Sequence, residues 1–338
     1  MIFLISIFLI FLVIFLNKFC IKNKFLLSFS GEKHQTFVTK EKIPLIGGVI
    51  FCSLLFFLNF NLNFKITFFL IFLLGIASDL KIISSANIRF IIQGIIVTFS
   101  VIILNLEIYN TRIFFLDSFL ENMLFNVLFT SFCLIIVING TNFIDGINLN
   151  ALSYYLSITV VLYFLSLEYN LELSNIDILK LILILTIISI SNFYNKLFLG
   201  DNGSYALGFF YGVILINFYL LNQSISPFFI VLLLWYPAFE ILFSILRKFA
   251  LKKSPFEPDN FHLHHILFNF FTKKFTNLKN SKNITGILLN SFNLIVFYFG
   301  IKNISHSQTQ ILLIIMNIII YLFVYFGLKE KSKNNVKS

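Results

Sequence analysis

An all-α, polytopic integral membrane protein is the fold class that the sequence predicts, and three observations predict it. Of 338 residues, 58% are hydrophobic and 12% charged, about half the roughly 25% charged residues of an average soluble domain; this excludes a soluble enzyme of this size. The apolar residues gather into many long runs, each sufficient for the roughly 20 residues that cross a bilayer as helix. The net charge of +10 is placed unevenly between those runs. A single transmembrane domain, 1–328, followed by a basic tail, 329–338, describes such a chain better than two soluble domains. Phe, with 47 residues, and Ile fill the runs, while Lys and Asn fill the connections. The aromatic share is therefore read as lipid-facing filler.

The runs define about eleven helices in order. The first, 2–21, lacks a charged leading segment and a small-residue cleavage site, so it is read as a retained span and not a removed signal peptide. The second, 44–60, follows Pro44 and carries Gly47 and Gly48, which permit close helix packing. The third, 64–78, ends at Asp79, and the fourth, 88–106, opens with Arg89 and Gln93. An Asn- and Gly-rich stretch separates the fifth, 119–138, from the sixth, 151–168. The seventh, 177–194, and the eighth, 204–221, flank Asp201. The ninth, 225–246, contains Glu240, and a long connection, 247–283, leads to the tenth and eleventh, 284–300 and 308–328.

If these helices alternate direction, Lys65, Arg112, Lys180 and Lys302 are left on one side, and the other Lys and Arg, with Lys18 at the end of the first helix, gather on the opposite one. The positive-inside rule makes the basic side cytoplasmic. The N-terminus is then outside and the C-terminus cytoplasmic, in a multi-pass membrane protein. No basic stripe with interleaved aromatics lies outside the spans, which argues against nucleic acid. Cys20, Cys52 and Cys133 fall in or at the ends of apolar runs without paired or metal-ligand spacing, so neither disulfides nor zinc are expected.

Chemistry-bearing residues collect in the connections on the basic side. Asn139, Asn142 and Asp145, in NGTNFIDGINLNA, are spaced i, i+3, so a helical turn would set them on one face; a plain interhelical turn is the alternative. Asp201, Asn202, Gly203 and Ser204 precede the eighth helix, where free backbone N–H groups favour an anion or are capped by Asp201 or Ser204. In the long connection Pro255 and Pro258 precede His262, His264 and His265. These imidazoles, with Arg247, Lys252 and Lys253, suit a diphosphate. Asp79 either joins the site or pairs with Lys81 or Arg89 at the helix ends. Carboxylates on one membrane face repel unless they share a cation, and carboxylate with phosphate is a usual Mg²⁺ shell. Glu240 costs several kcal/mol in lipid, roughly 3 on insertion scales, so it lines the site or pairs within the bundle.

Taken together, Pro44 to Gly48, Gly75 to Asp79, Asn139 to Gly146, Gly200 to Gly208 and Ser254 to His265 resemble, in order, the signatures of the polyprenyl-phosphate N-acetylhexosamine-1-phosphate transferase family, glycosyltransferase family 4. The resemblance implies eleven spans and an exchange in which undecaprenyl phosphate attacks the β-phosphate of a UDP-N-acetylhexosamine, UDP-GlcNAc by default, giving undecaprenyl-diphospho-sugar and UMP. This begins a cell-surface glycan such as O-antigen or capsule. It implies Mg²⁺, or Mn²⁺, held by Asp201 with Asp79, and catalytic roles for Asp79, Asp145 and Asp201. It assigns substrate binding to Asn139, Asn142, Asn148, Arg247, His262, His264 and His265. A homodimer is an expectation from some relatives.

Two positions depart from the family. Ser78 stands where the first Asp of a pair is usual, and that Asp is often proposed as the base for the lipid phosphate. A phosphate monoester has its second pKa near about 6, so much of the nucleophile is already dianionic. Asn148 and Leu149 stand where the family often has a second acidic residue and Gly. A catalytically inactive relative that binds polyprenyl phosphate or scaffolds glycan assembly is the competing reading; a secondary transporter is disfavoured because little ionisable chemistry lies within the spans.

Overall fold

The computed structural model describes residues 2–28, 42–173, 177–255, 257, 260–274 and 278–337. Phe256, Pro258 and Asp259, from the motif before the histidines, lie outside them. Fifteen helices follow one another: α1 (Ile2–Asn23), α2 (Gly47–Cys52), α3 (Leu54–Phe57), α4 (Leu62–Asp79), α5 (Ala86–Ile103), α6 (Phe114–Leu120), α7 (Met123–Ile144), α8 (Asn150–Glu168), α9 (Ile178–Phe193), α10 (Gly200–Leu221), α11 (Pro227–Leu233), α12 (Trp235–Ala250), α13 (Leu263–Thr272), α14 (Leu278–Lys302) and α15 (Ser307–Lys337). Among the described residues no strand forms, and one isolated bridge pairs Leu27 with Pro44.

Every one of the eleven apolar runs is helical. Among the described residues eight helices are long and apolar enough to cross a membrane, and a ninth span arises if α11 and α12 count as one, bent by 72°. The remaining two runs, α2–α3 and α9, are shorter. The α11–α12 bend has a local cause. Pro237 has no N–H to donate to the carbonyl four residues back, and that carbonyl, Leu233 O, instead accepts the Tyr154 hydroxyl at 2.8 Å.

Helix α10 forms the axis of the bundle. From Asn202 to Tyr219 each of its residues except Asn217 is buried, against α2, α4 and α7. Gly48 is what allows α2 to approach so closely, because a Cβ there would stand 2.4 Å from the Gly203 backbone nitrogen. By contrast α1, α5 and α15 turn large apolar side chains outward, among them Phe11, Ile91 and Phe323, as helices in contact with lipid do.

The connections sort into two ends. At one, Arg112 donates to Ile225 O at 2.7 Å and Ser305 O at 2.7 Å, Asn222 and Glu172 exchange bonds of 2.9 Å, and Lys180 reaches Phe57 O at 3.3 Å. At the other, Phe198 N–H donates to Pro44 O at 2.8 Å, Asp79 meets the start of α10, and Asn148 reaches Asn195 at 2.6 Å. Alternate connections therefore gather at opposite ends, as alternating helices require. The carboxylates and histidines singled out above share the second end.

Candidate active site

Asp79 closes α4 and caps α10. Its Oδ1 accepts the Asp201 N–H and its Oδ2 the Asn202 N–H, both at 2.9 Å, and Oδ2 also accepts from the Asn202 side chain. These are orphan donors of a helix first turn, and a carboxylate there also meets the positive end of the helix dipole. Because α10 begins at Gly200, Asp201 and Ser204 lie inside its first turns and do not precede it. The anion expected at this N-terminus is thus the Asp79 carboxylate itself.

Asp201 gathers partners from three helices. Its Oδ1 accepts from Asn142 Nδ2 at 2.7 Å, and Asn142 also reaches Ser204 Oγ at 2.9 Å. Its Oδ2 accepts from Arg89 Nη1 at 2.9 Å and from the Ser78 hydroxyl, which in turn accepts from Arg89. Arg89 therefore pairs with Asp201, not with Asp79. Ser78, buried at the end of α4, acts as a neutral bridge between the two charges.

Asp145 caps the C-terminus of α7, and among the described residues none donates a hydrogen bond to its carboxylate. Burial, then the negative charges of Asp201 and Asp79, hold its pKa well above the usual carboxylate range. Asn139 is turned to α5, donating to Gln93 Oε1 and to Ile135 O at 2.9 Å. The i, i+3 row thus delivers Asn142 and Asp145 to the carboxylates while Asn139 fastens α7 to α5. Asn148 points inward, its amide nitrogen 3.1 Å from Asn192 O, 2.6 Å from Asn195 Oδ1 and 3.2 Å from Asn283 Oδ1. Leu149 beside it has φ of 65°, a left-handed conformation costing about 1–2 kcal/mol for a side-chain-bearing residue.

The histidines stand over Gly146. A Cβ at Gly146 would lie 2.3 Å from His264 Nε2 and 3.1 Å from His265 Cε1. The His264 ring is 4.2 Å from that of His265 and 5.6 Å, nearly parallel, from that of His262. Among the described residues neither nitrogen of the fully buried His264 finds a hydrogen-bond partner. Burial, then the neighbouring His265 and His262, push its pKa well down, so this ring is neutral. His262 Nδ1 lies 3.0 Å from Glu240 Oε1. Lys248 fastens the connection by donating to Pro255 O at 2.9 Å and Glu257 O at 2.6 Å. Arg247 donates to Phe261 O, to Tyr325 OH at 3.2 Å and to Ser244 Oγ at 3.2 Å.

Two clefts meet at Asn142, Gly146 and His265. One, of about 380 Å³, is lined by Asp79, Asp145 and Asp201 together with Asn148, Asn192 and Phe198. The other, of about 400 Å³, carries Arg89, Lys248, His262 and His265, with Phe90, Ile241 and Ile245 extending it as an apolar wall. Sequence reasoning missed Asn192, Asn195 and Lys248. Amides at the end of the apolar α9, so close before Asp201, were the available signal for the first two.

The profile of glycosyl transferase family 4 matches residues 61–219, the stretch that holds Asp79, Arg89, Asn142, Asp145 and Asp201. Over that stretch, somewhat under half of its length, the chain is similar to glycosyl transferase family 4. It is 27% identical over 301 residues to the undecaprenyl-phosphate alpha-N-acetylglucosaminyl 1-phosphate transferase of Thermotoga maritima, covering 86% of this chain and 87% of that protein. It is 32% identical over 213 residues to the probable undecaprenyl-phosphate N-acetylglucosaminyl 1-phosphate transferase of Bacillus subtilis, covering 60% of this chain and 56% of that one. Its apolar helices are those of a multi-pass membrane protein.

Among the described residues no three His, Cys, Asp or Glu side chains could hold a metal ion by themselves. Mg²⁺, however, commonly takes one or two carboxylates and completes its shell with water and substrate phosphate. Asp145 without a donor, and Asp201 close enough to raise its pKa, form such a hard oxygen set, so the residues present fit the ion. Asp79 and Asp201 each already accept from three donors, so Asp145 has the most capacity left for it.

Proposed function

We propose that the chain transfers N-acetylhexosamine-1-phosphate, with N-acetylglucosamine the first sugar to test, from its UDP derivative to undecaprenyl phosphate, releasing UMP and starting a cell-surface glycan. The observation that carries this reading is the meeting of the two clefts at Asn142 and His265. An amide-lined, acidic cleft suits a nucleotide sugar, and a cationic cleft with an apolar wall suits a lipid phosphate. An oxygen of the lipid phosphate attacks the β-phosphorus, the bond from that phosphorus to the oxygen bridging it to the α-phosphate breaks, and the electron pair leaves with UMP.

Asp145 and Asp201 would hold Mg²⁺, which when bound neutralises the crowded phosphates. Arg89 and Lys248 bring positive charge to the phosphoryl groups, His262 and His265 line the same cleft, and Asn142 keeps Asp201 in place. Positioning and charge stabilisation account for most of phosphoryl-transfer catalysis. The nucleophile, with a second pKa near about 6, arrives ionised at neutral pH, which is consistent with Ser78 standing where a base is usual. The concentration of Lys and Arg at the site end supports a cytoplasmic site in the inner membrane; a reporter fused after residue 338 reads cytoplasmic on this topology.

The deciding experiment is UMP release from a panel of UDP-N-acetylhexosamines by the purified chain with undecaprenyl phosphate, with and without Mg²⁺. Release that needs both lipid and metal supports the transferase and names its sugar. No release with any donor transfers the weight to an inactive, polyprenyl-phosphate-binding relative, the reading that Ser78 favours.

A further inference from the structure

Glu240 is fully buried within α12, where an unpartnered carboxylate would be costly. Its partners come from two other elements. Oε1 lies 3.0 Å from His262 Nδ1 and accepts the Leu263 N–H at 3.3 Å, both at the start of α13, while Oε2 accepts the Tyr321 hydroxyl of α15 at 2.9 Å. As a carboxylate Glu240 is an acceptor only, so the hydrogen between it and the imidazole then belongs to Nδ1. A histidine whose Nδ1–H is held by a carboxylate has its basic site at Nε2, and its ring plane is set by that bond. His262 itself lines the cationic cleft, packed edge-on against Phe143 with ring centres 5.1 Å apart.

We propose that Glu240, seated by Tyr321, is a positioning residue for phosphoryl transfer: it fixes the tautomer and orientation of His262, so that Nε2 is the nitrogen that meets the phosphoryl groups. The inference rests on the transferase reading for its kinetic consequences but not for its structural one. Leu263 adds a second function to the same carboxylate, tying the first turn of α13 to α12 so that the imidazoles stay above Gly146. Arg247, two turns further along α12, engages Tyr325 on the same α15 face, so the ring pair Tyr321 and Tyr325 braces both ends of this arrangement.

The test uses the full chain with ¹⁵N-labelled histidine. It has five histidines, and His262 is assigned by the signal lost in His262→Gln. In the wild type the neutral His262 ring is expected to carry its proton on Nδ1; a proton on Nε2 overturns the proposal without any variant at position 240. Glu240→Gln, which keeps an acceptor oxygen, should preserve the tautomer, and Glu240→Leu should abolish the preference. In the UMP-release assay Glu240→Leu should lower kcat by about 10²-fold, the scale of a misplaced catalytic group, with the KM for UDP-sugar changed less than about threefold, and Glu240→Gln should recover at least about tenfold of that loss. Combined with His262→Gln, Glu240→Gln, which keeps an acceptor for the Leu263 N–H, should cost nothing further, because a residue acting through another is not additive with it. A multiplicative loss in the double variant overturns the proposal. Absence of turnover in the wild type sinks the transferase reading instead and leaves the NMR result to decide the role of Glu240.

Discussion

The two ends of the bundle use polar groups in opposite ways. At the Arg112 end the guanidinium donates to backbone carbonyls of two other connections, and Asn222 exchanges two bonds with the Glu172 backbone; the partners are mostly main chain. At the Asp201 end the side chains bond mostly to one another or to the α10 terminus, Asp145 has no donor among the described residues, and both nitrogens of buried His264 go without. Buried polar groups in folded proteins are normally satisfied. Among the described residues the unpartnered buried groups gather at the Asp201 end, while at the Arg112 end Gln310 Oε1 is such a group; the imbalance separates a face that awaits a ligand from a face that fastens helices.

That contrast can be broken by substitution. The largest effect is expected for Asp201→Asn, which should lower Mg²⁺-dependent UMP release by about 10³-fold, the upper range for a single electrostatic group, while the protein still inserts in the membrane; release within tenfold of wild type would refute the assignment. Asp145→Asn should cost about 10²-fold in turnover on the same grounds, yet raise thermal stability in metal-free buffer. The sign follows from linkage: the folded state holds the Asp145 proton more tightly than the unfolded one, whose pKa is about 3.9. Stability contributed by the protonated form is therefore lost as pH rises through the folded value, and the amide escapes that loss. By the same argument Mg²⁺ should bind the wild type more tightly at pH 8 than at pH 6, which isothermal titration would register.

Arg112→Gln should do the reverse of Asp201→Asn. It should lower the midpoint of thermal inactivation by a few degrees, on the scale of about 2–4 °C per kcal/mol, and leave kcat unchanged; a fall in kcat would erase the distinction between the ends. The smallest effect is expected for Ser78→Asp, which returns a carboxylate beside Arg89. With the nucleophile already ionised near neutral pH, turnover at pH 8 should change by less than about threefold. A large gain would show that a base is limiting.

Much of this was readable beforehand, for physical reasons that also explain the rest. A bilayer demands long apolar runs, so all eleven helical runs were visible, and their charge asymmetry sorted the connections. Hydropathy does not register a lost N–H, so the bend before Pro237 was not, nor were the short helices α6 and α13. Local spacing placed Asn142 and Asp145 on one side of a turn but could not show that Gln93, from another helix, would claim Asn139. Likewise, charge alone allowed Arg89 to neutralise Asp79; which carboxylate it reaches depends on where α10 begins. Glu240 was legible as an anomaly, and its partners, 22 and 81 positions away, were not.

The last of those partners has a consequence for biogenesis. Helix α15 is made after every other element of the centre, and it brings Tyr321 to Glu240 and Tyr325 to Arg247. The carboxylates of the centre are synthesised earlier, but the brace behind the imidazoles is complete only when α15 has left the ribosome and entered the membrane. A chain terminated before α15 would hold the acidic half of the centre beside an unbraced basic half, so the order of synthesis itself delays assembly of the centre until α15 is in place.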